Sequence, residues 1–152
     1  MRALLASLLA ALACAAMAAD FAIDPSVVRA GNGTVSALTA AEEIDPGEAV
    51  YKPTSTTAGL ATCTNATKAA VAGIAINKAY TGQPISIVST ASRFVPGITN
   101  LTAGAILVLS KNPGAIAPSS DLASTHYPVI LGVATASTNM MLDIMRGSVP
   151  LP

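Results

Sequence analysis

Four carboxylates, Glu42, Glu43, Asp45 and Glu48, lie close together in the first third of the chain. A carboxylate pair can serve as an acid and a base in catalysis, and a carboxylate cluster can bind a hard cation such as Ca²⁺. The cluster also borders a Pro46–Gly47 turn, and acidic residues are common on the solvated edge before a turn. The second, structural interpretation is favoured.

The chain has one histidine, His126, so any imidazole-based triad would have to be built on it. Its neighbours form no nucleophile motif, and the sequence contains no Gly-x-Ser-x-Gly elbow. The two cysteines, Cys14 and Cys63, could pair with each other but have no metal-ligand spacing. We therefore expect no enzymatic activity, no cofactor and no metal site.

Two segments of the chain repeat one pattern. In the first, a turn at Gly47 leads to an apolar strand and, after a polar passage, to a second apolar strand around Gly73. In the other, Gly104 and Gly132 take the same places at nearly the same spacing. A repeated turn–strand–loop–strand unit without reactive residues is typical of a structural scaffold.

The composition favours strands that are partly buried. The 152 residues are 52% hydrophobic but only 3% aromatic and 11% charged, and 11 Gly and 10 Pro are available for turns. Ala, Val, Ile and Thr suit a pleated surface. The sequence predicts about seven or eight short strands. The predicted fold class is mainly β: a small β-barrel or β-sandwich of two related β-units, with an extended N-terminal arm and a possible N-terminal helix.

The chain divides into four predicted segments. Residues 1–19 form an apolar Ala/Leu segment, residues 20–40 an extended arm, residues 41–148 the β-domain and residues 149–152 an unpaired tail. The first segment fits a secretory signal, because small residues precede Ala19. It also fits a retained helix, because its five leucines fall within one helical arc.

The charge balance limits the possible partners. The formal net charge is zero, so the sequence has no electrostatic footprint for nucleic acid. A surface with so few charges gives a free monomer little protection against association. We therefore expect neighbouring chains to cover much of this surface. No membrane association is expected unless residues 1–19 act as a signal.

From about Ile44 to Ile144 the sequence resembles the small capsid decoration, or cement, proteins of tailed bacteriophages. The resemblance lies in the order and spacing of several turn-and-strand motifs, which are Ile44-Asp45-Pro46-Gly47-Glu48-Ala49-Val50-Tyr51, Val71-Ala72-Gly73-Ile74-Ala75, Tyr80-Thr81-Gly82-Gln83-Pro84-Ile85, Leu101-Thr102-Ala103-Gly104, Pro113-Gly114-Ala115-Ile116 and Leu131-Gly132-Val133-Ala134. It covers about two thirds of the chain. The leucine-bearing segment before Asp20 departs from the family pattern.

The resemblance implies a structural virion protein on the outside of a phage head. Members of such families stabilise the capsid through contacts that bridge its subunits, often as homotrimers, and some reach the major capsid protein with an N-terminal arm. The expected partners are therefore the major capsid protein and further copies of this chain. The residues of the expected capsid-contacting arm are Phe21, Ile23, Pro25, Val27, Val28 and Arg29.

An alternative function remains open. Because Ala16-Met17-Ala18 resembles a signal cleavage site, the chain could be an exported bacterial β-domain of the periplasm or cell surface.

Overall fold

The computed structural model describes residues 19–152, which form ten β-strands and two short 3₁₀ turns, Pro25–Val27 and Ser119–Asp121. No α-helix forms within this range, and the predicted N-terminal helix lies outside it. The strands are β1 Val35–Ala40, β2 Ala49–Tyr51, β3 Thr57–Leu60, β4 Val71–Ala75, β5 Pro84–Val88, β6 Thr90–Phe94, β7 Ile106–Leu109, β8 Ile116–Pro118, β9 Val129–Ala134 and β10 Met140–Arg146.

Strands β1 to β5 form a closed barrel in the order β1-β3-β2-β4-β5. All neighbouring pairs are antiparallel except β1 and β3, which are parallel. Because β1 also pairs with β5, the β1–β3 pair closes the barrel. Strands β6 to β10 form an antiparallel sheet in the order β6-β10-β9-β7-β8. Here β6 and β8 are the two edges and do not pair with each other.

The two units have the same strand order and the same central register. Opened between β1 and β3, the barrel has the order β3-β2-β4-β5-β1, which matches β8-β7-β9-β10-β6 in the second sheet. Val50 of β2 is opposite Gly73 of β4, and Leu107 of β7 is opposite Gly132 of β9. In both units the ladder shifts immediately after that pair. The turn glycines also match, with φ of +92° at Gly47 and +87° at Gly104. The predicted fold class, with its two related β-units, is confirmed.

Two hydrophobic clusters stabilise this arrangement. The smaller one fills the barrel with alanine and β-branched aliphatic side chains, such as Val50, Ala75 and Ile87. The larger one joins the outer surface of the barrel to the interior of the second sheet, and Phe94, Leu107 and Met140 are among its fully buried members. Backbone hydrogen bonds also connect the units, as where Ala49 N donates to Gly114 O at 2.9 Å. The burial of many small side chains thus replaces the aromatic core that the composition lacks.

The structure differs from the sequence-based expectations in four places. β3 lies in a passage predicted to be a polar loop, and β8 was not predicted. The segment Val35–Ala40 belongs to the barrel as β1, so only residues 20–34 of the predicted arm lie outside the sheets. The tail is paired, because Leu151 N donates to His126 O at 2.9 Å and Thr125 N donates to Leu151 O at 2.8 Å.

Candidate functional site

The carboxylates of the acidic cluster form hydrogen bonds and ion pairs with groups of their own chain. An oxygen of Glu42 accepts a hydrogen bond from Leu60 N at 2.8 Å, next to the end of β3. Lys78 Nζ lies 2.7 Å from Glu43 Oε1 and 2.9 Å from Asp45 Oδ1, and these two carboxylates raise the pKa of Lys78. The geometry is that of a surface ion-pair network, which contributes little stability at each exposed pair.

Glu48 is the most enclosed of the four carboxylates. Its Oε2 accepts a hydrogen bond from Asp45 N at 2.7 Å, which fixes the turn before β2. Burial raises the pKa of Glu48, and the nearby Asp45 and Glu42 carboxylates raise it further, while the hydrogen bond opposes them. Charging this group therefore costs more in the folded than in the unfolded chain.

We expect Glu48→Gln to raise the midpoint of thermal unfolding at neutral pH. The amide oxygen can still accept from Asp45 N, while the penalty of a partly buried charge disappears. A raised folded pKa means that the carboxyl penalty is absent below the unfolded value, near 4.5, and grows as pH rises through the folded value. The gain should therefore vanish well below pH 4.5, as thermal melts across pH would show. An equal gain at acidic and neutral pH would contradict this explanation.

His126 fixes a loop and the C-terminal tail. Its Nδ1 accepts a hydrogen bond from Ala123 N at 3.2 Å, and its own backbone oxygen accepts from Leu151 N. The side chain is only 9% exposed. These contacts hold His126 within its loop and join the loop to the tail.

Cys63 is a free, fully buried thiol beside the junction of the two units. Its backbone N donates to Ser110 O at 3.1 Å, and its oxygen accepts from Tyr127 N at 2.8 Å. Burial raises the pKa of the Cys63 thiol to about 11. Cys14, the other cysteine of the sequence, lies outside the described residues.

In a Cys14→Ser variant we expect Cys63 to react with a thiol reagent only after the protein opens. The thiolate is the reactive species, and a pKa of about 11 makes it scarce at neutral pH. Labelling at neutral pH should be slower than that of the same chain in denaturant by about a hundredfold or more. Equal labelling rates in buffer and in denaturant would show that Cys63 is accessible in the folded protein.

The N-terminal arm bridges the two edges of the second sheet. Phe21 N donates to Ile116 O of β8 at 2.9 Å. Arg29 exchanges two backbone hydrogen bonds, of 3.0 and 3.1 Å, with Val95, the residue after β6. In the barrel the equivalent strands, β1 and β3, pair directly. The arm thus connects the two edges of the second sheet, whereas in the barrel the two equivalent strands pair directly with each other.

The residues of the predicted capsid-contacting arm fall into two groups. Val28 is buried, and its side chain and that of Ile23 cover Gly47 and Gly97; Phe21 is half-buried. Pro25, Val27 and Arg29 are exposed. The exposed residues lie at the 3₁₀ turn Pro25–Val27 and just after it, where Ser26 N donates to Asp24 Oδ1 at 2.9 Å. This turn is therefore an exposed part of the arm.

The arm joins β1 through a turn that Asn32 holds in place. Asn32 Oδ1 accepts from Arg93 N at 3.0 Å, and its Nδ2 donates to Ser92 Oγ at 2.6 Å. Gly31 has a φ of +60° and lies directly against the Arg93 carbonyl, where a side chain would collide. A shallow depression of about 480 Å³ adjoins these residues and Val95.

Within residues 19–152, no group of three or more His, Cys, Asp or Glu side chains is arranged to hold a metal ion. No helix in that range is long and apolar enough to cross a membrane. Comparison with models of known protein families finds no match, and comparison with curated protein sequences finds none either.

Proposed function

We propose that this chain is a structural protein that binds the outer surface of a phage head and stabilises the shell. The partners are the major capsid protein and further copies of this chain, and the site of action is the exterior of the virion. The observation that carries the proposal is the position of the motifs that resemble decoration proteins. Four of the six motifs fall at equivalent turns and strands of the two units, which the register pairs Val50–Gly73 and Leu107–Gly132 define.

The polar chemistry of the described residues supports the same proposal. The carboxylates of the acidic cluster and the His126 ring are engaged with groups of their own chain. Several apolar side chains, in contrast, are open to solvent, among them Val27, Ile106 and Met145. A protein that acts through binding area needs such surface, because stable interfaces bury on the order of 1,600 Å² in total.

The test is cosedimentation of the purified full chain with expanded heads that lack it. The proposal expects saturable binding to the heads and greater resistance of the decorated heads to heat. A Val27→Asp variant examines the exposed turn of the arm, and Val149→Asp in the tail is a matched control. Absence of binding to both expanded and unexpanded heads would refute the proposal.

The second candidate is an exported bacterial β-domain, which the Ala16-Met17-Ala18 sequence favours. The intact mass of the protein from its native source distinguishes the two. A mature chain that begins at Ala19 supports export, whereas a chain that begins at Met1 contradicts it.

A further inference from the structure

The turn between the N-terminal arm and β1 contains the only Asn-Gly pair of the sequence, Asn32-Gly33. A contact accounts for each of the two residues. The Asn32 side chain is hydrogen-bonded to two groups of β6, Arg93 N and Ser92 Oγ. At Gly33 a Cβ would lie 2.4 Å from Val88 Cγ1, so a larger residue would displace a fully buried side chain. The fold therefore favours this pair of residues at this turn.

An Asn-Gly pair is chemically reactive wherever the chain is mobile. The main-chain nitrogen of the glycine attacks Cγ of the asparagine. The new N–Cγ bond forms while the Cγ–Nδ2 bond breaks, and the proton of the glycine N–H leaves with the amide group as ammonia. Water then opens the resulting cyclic imide, a succinimide, at either carbonyl, which gives aspartate or isoaspartate. Glycine favours the attack because it has no side chain to obstruct it and lets the backbone turn freely.

The folded turn engages both reacting groups in hydrogen bonds. Gly33 N, the nucleophile, donates to Ala30 O at 3.0 Å. In the Asn32 amide, Oδ1 accepts from Arg93 N at 3.0 Å and Nδ2 donates to Ser92 Oγ at 2.6 Å. The attack requires that Gly33 N lose its proton and that the Asn32 side chain rotate towards it. These hydrogen bonds must therefore break before the reaction begins, although Asn32 itself is exposed to water.

We propose that Asn32 is a protected modification site, which converts to aspartate or isoaspartate only while the turn is open, and that the isoaspartate product prevents the arm from docking again. Aspartate is compatible with the closed turn, because its carboxylate accepts from Arg93 N and from the Ser92 hydroxyl. Isoaspartate is not, because it adds a methylene to the main chain beside Gly31, which has a φ of +60° and lies directly against the Arg93 carbonyl. The inference depends on the described fold and not on the proposed function.

The first test compares the full chain in mildly alkaline buffer with the same chain in denaturant, and peptide mass spectrometry follows the replacement of the Asn32 amide by a hydroxyl. In denaturant Asn32 should convert faster than Asn65 and Asn139, which are followed by alanine and methionine. In the folded protein its conversion should be slower by about tenfold or more, because local opening limits it. Equal rates for Asn32 in the two conditions, or a rate in denaturant no higher than that of Asn65, would overturn the inference.

Ser92→Ala tests the protection of the turn in the folded protein. It removes the acceptor of Asn32 Nδ2 at an exposed position, so the conversion of Asn32 should become faster by about two- to tenfold, as the loss of one hydrogen bond implies. Ser36→Ala is the matched control, because Ser36 is an exposed serine on β1, and its rate should equal that of wild type. Thermal melts establish that both variants fold. A rate in Ser92→Ala equal to that in Ser36→Ala would count against the inference.

Hydrogen exchange tests the consequence for the arm. The converted fraction that accumulates in the folded protein carries an added negative charge, so ion exchange separates it from unmodified protein. Its Val95 amide, which donates to Arg29 O, should exchange faster than that of unmodified protein. The Asn32→Asp variant carries the same charge without the added methylene, and its Val95 amide should remain protected. Equal protection of Val95 in the converted fraction and in Asn32→Asp would overturn the second part of the proposal.

Discussion

Gly132→Ala is expected to destabilise the protein by about 3 kcal/mol or more, which is a large share of the stability of a small domain. A Cβ at this position would collide with the backbone oxygen of Met141 on the neighbouring strand and approach Met140 Cε to 2.8 Å. The Met141 oxygen belongs to the backbone, so it can move only if β10 moves away from β9. Gly73→Ala should behave similarly, because its Cβ would lie 2.6 Å from the oxygen of Val88, the residue equivalent to Met141.

The control for this prediction is Gly104→Ala. Gly104 has a φ of +87°, but a Cβ there meets nothing within 4 Å. Only backbone strain opposes the substitution, at a cost of about 1–2 kcal/mol. Denaturant unfolding of the three variants measures the difference. If Gly132→Ala were no more destabilising than Gly104→Ala, the close approach of β9 and β10 would be wrong.

Val28→Asp is expected to destabilise the protein by about 3 kcal/mol or more, because it buries an unpaired carboxylate. Val28 is 4% exposed, and its side chain contacts the backbone turns at Gly47 and Gly97. The substitution should also release the arm from the edges of the second sheet. Faster hydrogen exchange at the Val95 amide, which donates to Arg29 O, would report that release.

Val27→Asp provides a control one residue away. Val27 is 41% exposed at the end of the 3₁₀ turn, so a carboxylate there stays in water. Its effect on stability should remain within about 0.5 kcal/mol. Equal loss of stability in the two variants would mean that the arm does not pack as described.

Sequence alone predicted the class of fold and the repeat, because both depend on glycine turns and apolar runs that are local signals. Gly47 and Gly104 lie in turns with positive φ, and Gly73 and Gly132 are opposite the strands that follow those turns. What the repeat did not reveal is that one unit closes by direct pairing while the other needs the arm. That difference depends on contacts between residues far apart in the chain, such as Phe21 with Ile116.

The two unpredicted strands, β3 and β8, occupy equivalent places in the two units. β3 reads Thr-Ala-Gly-Leu and has no alternation of polar and apolar residues, while β8 has three residues and ends at Pro118. Neither carries a local strand signal. Each is a strand because it pairs with a well-defined neighbour, β2 or β7.

The chemical types of the candidate functional residues were predictable from the sequence, but their burial was not. The sequence placed an apolar arm before the β-domain, yet it gave no sign that Val28 would be buried while Val27 stays exposed. In the same way, the 42% exposure of Ile106 on β7 depends on how the two units pack against each other.

The proposed function is that of a structural component on the outside of a phage head. The most direct measurement is a density map of native virions compared with virions that lack the protein. The proposed function predicts extra density on the outer surface of the head, into which the two-unit fold fits, with contacts between copies of the chain. Identical maps, or density confined to the interior or the tail, would contradict it.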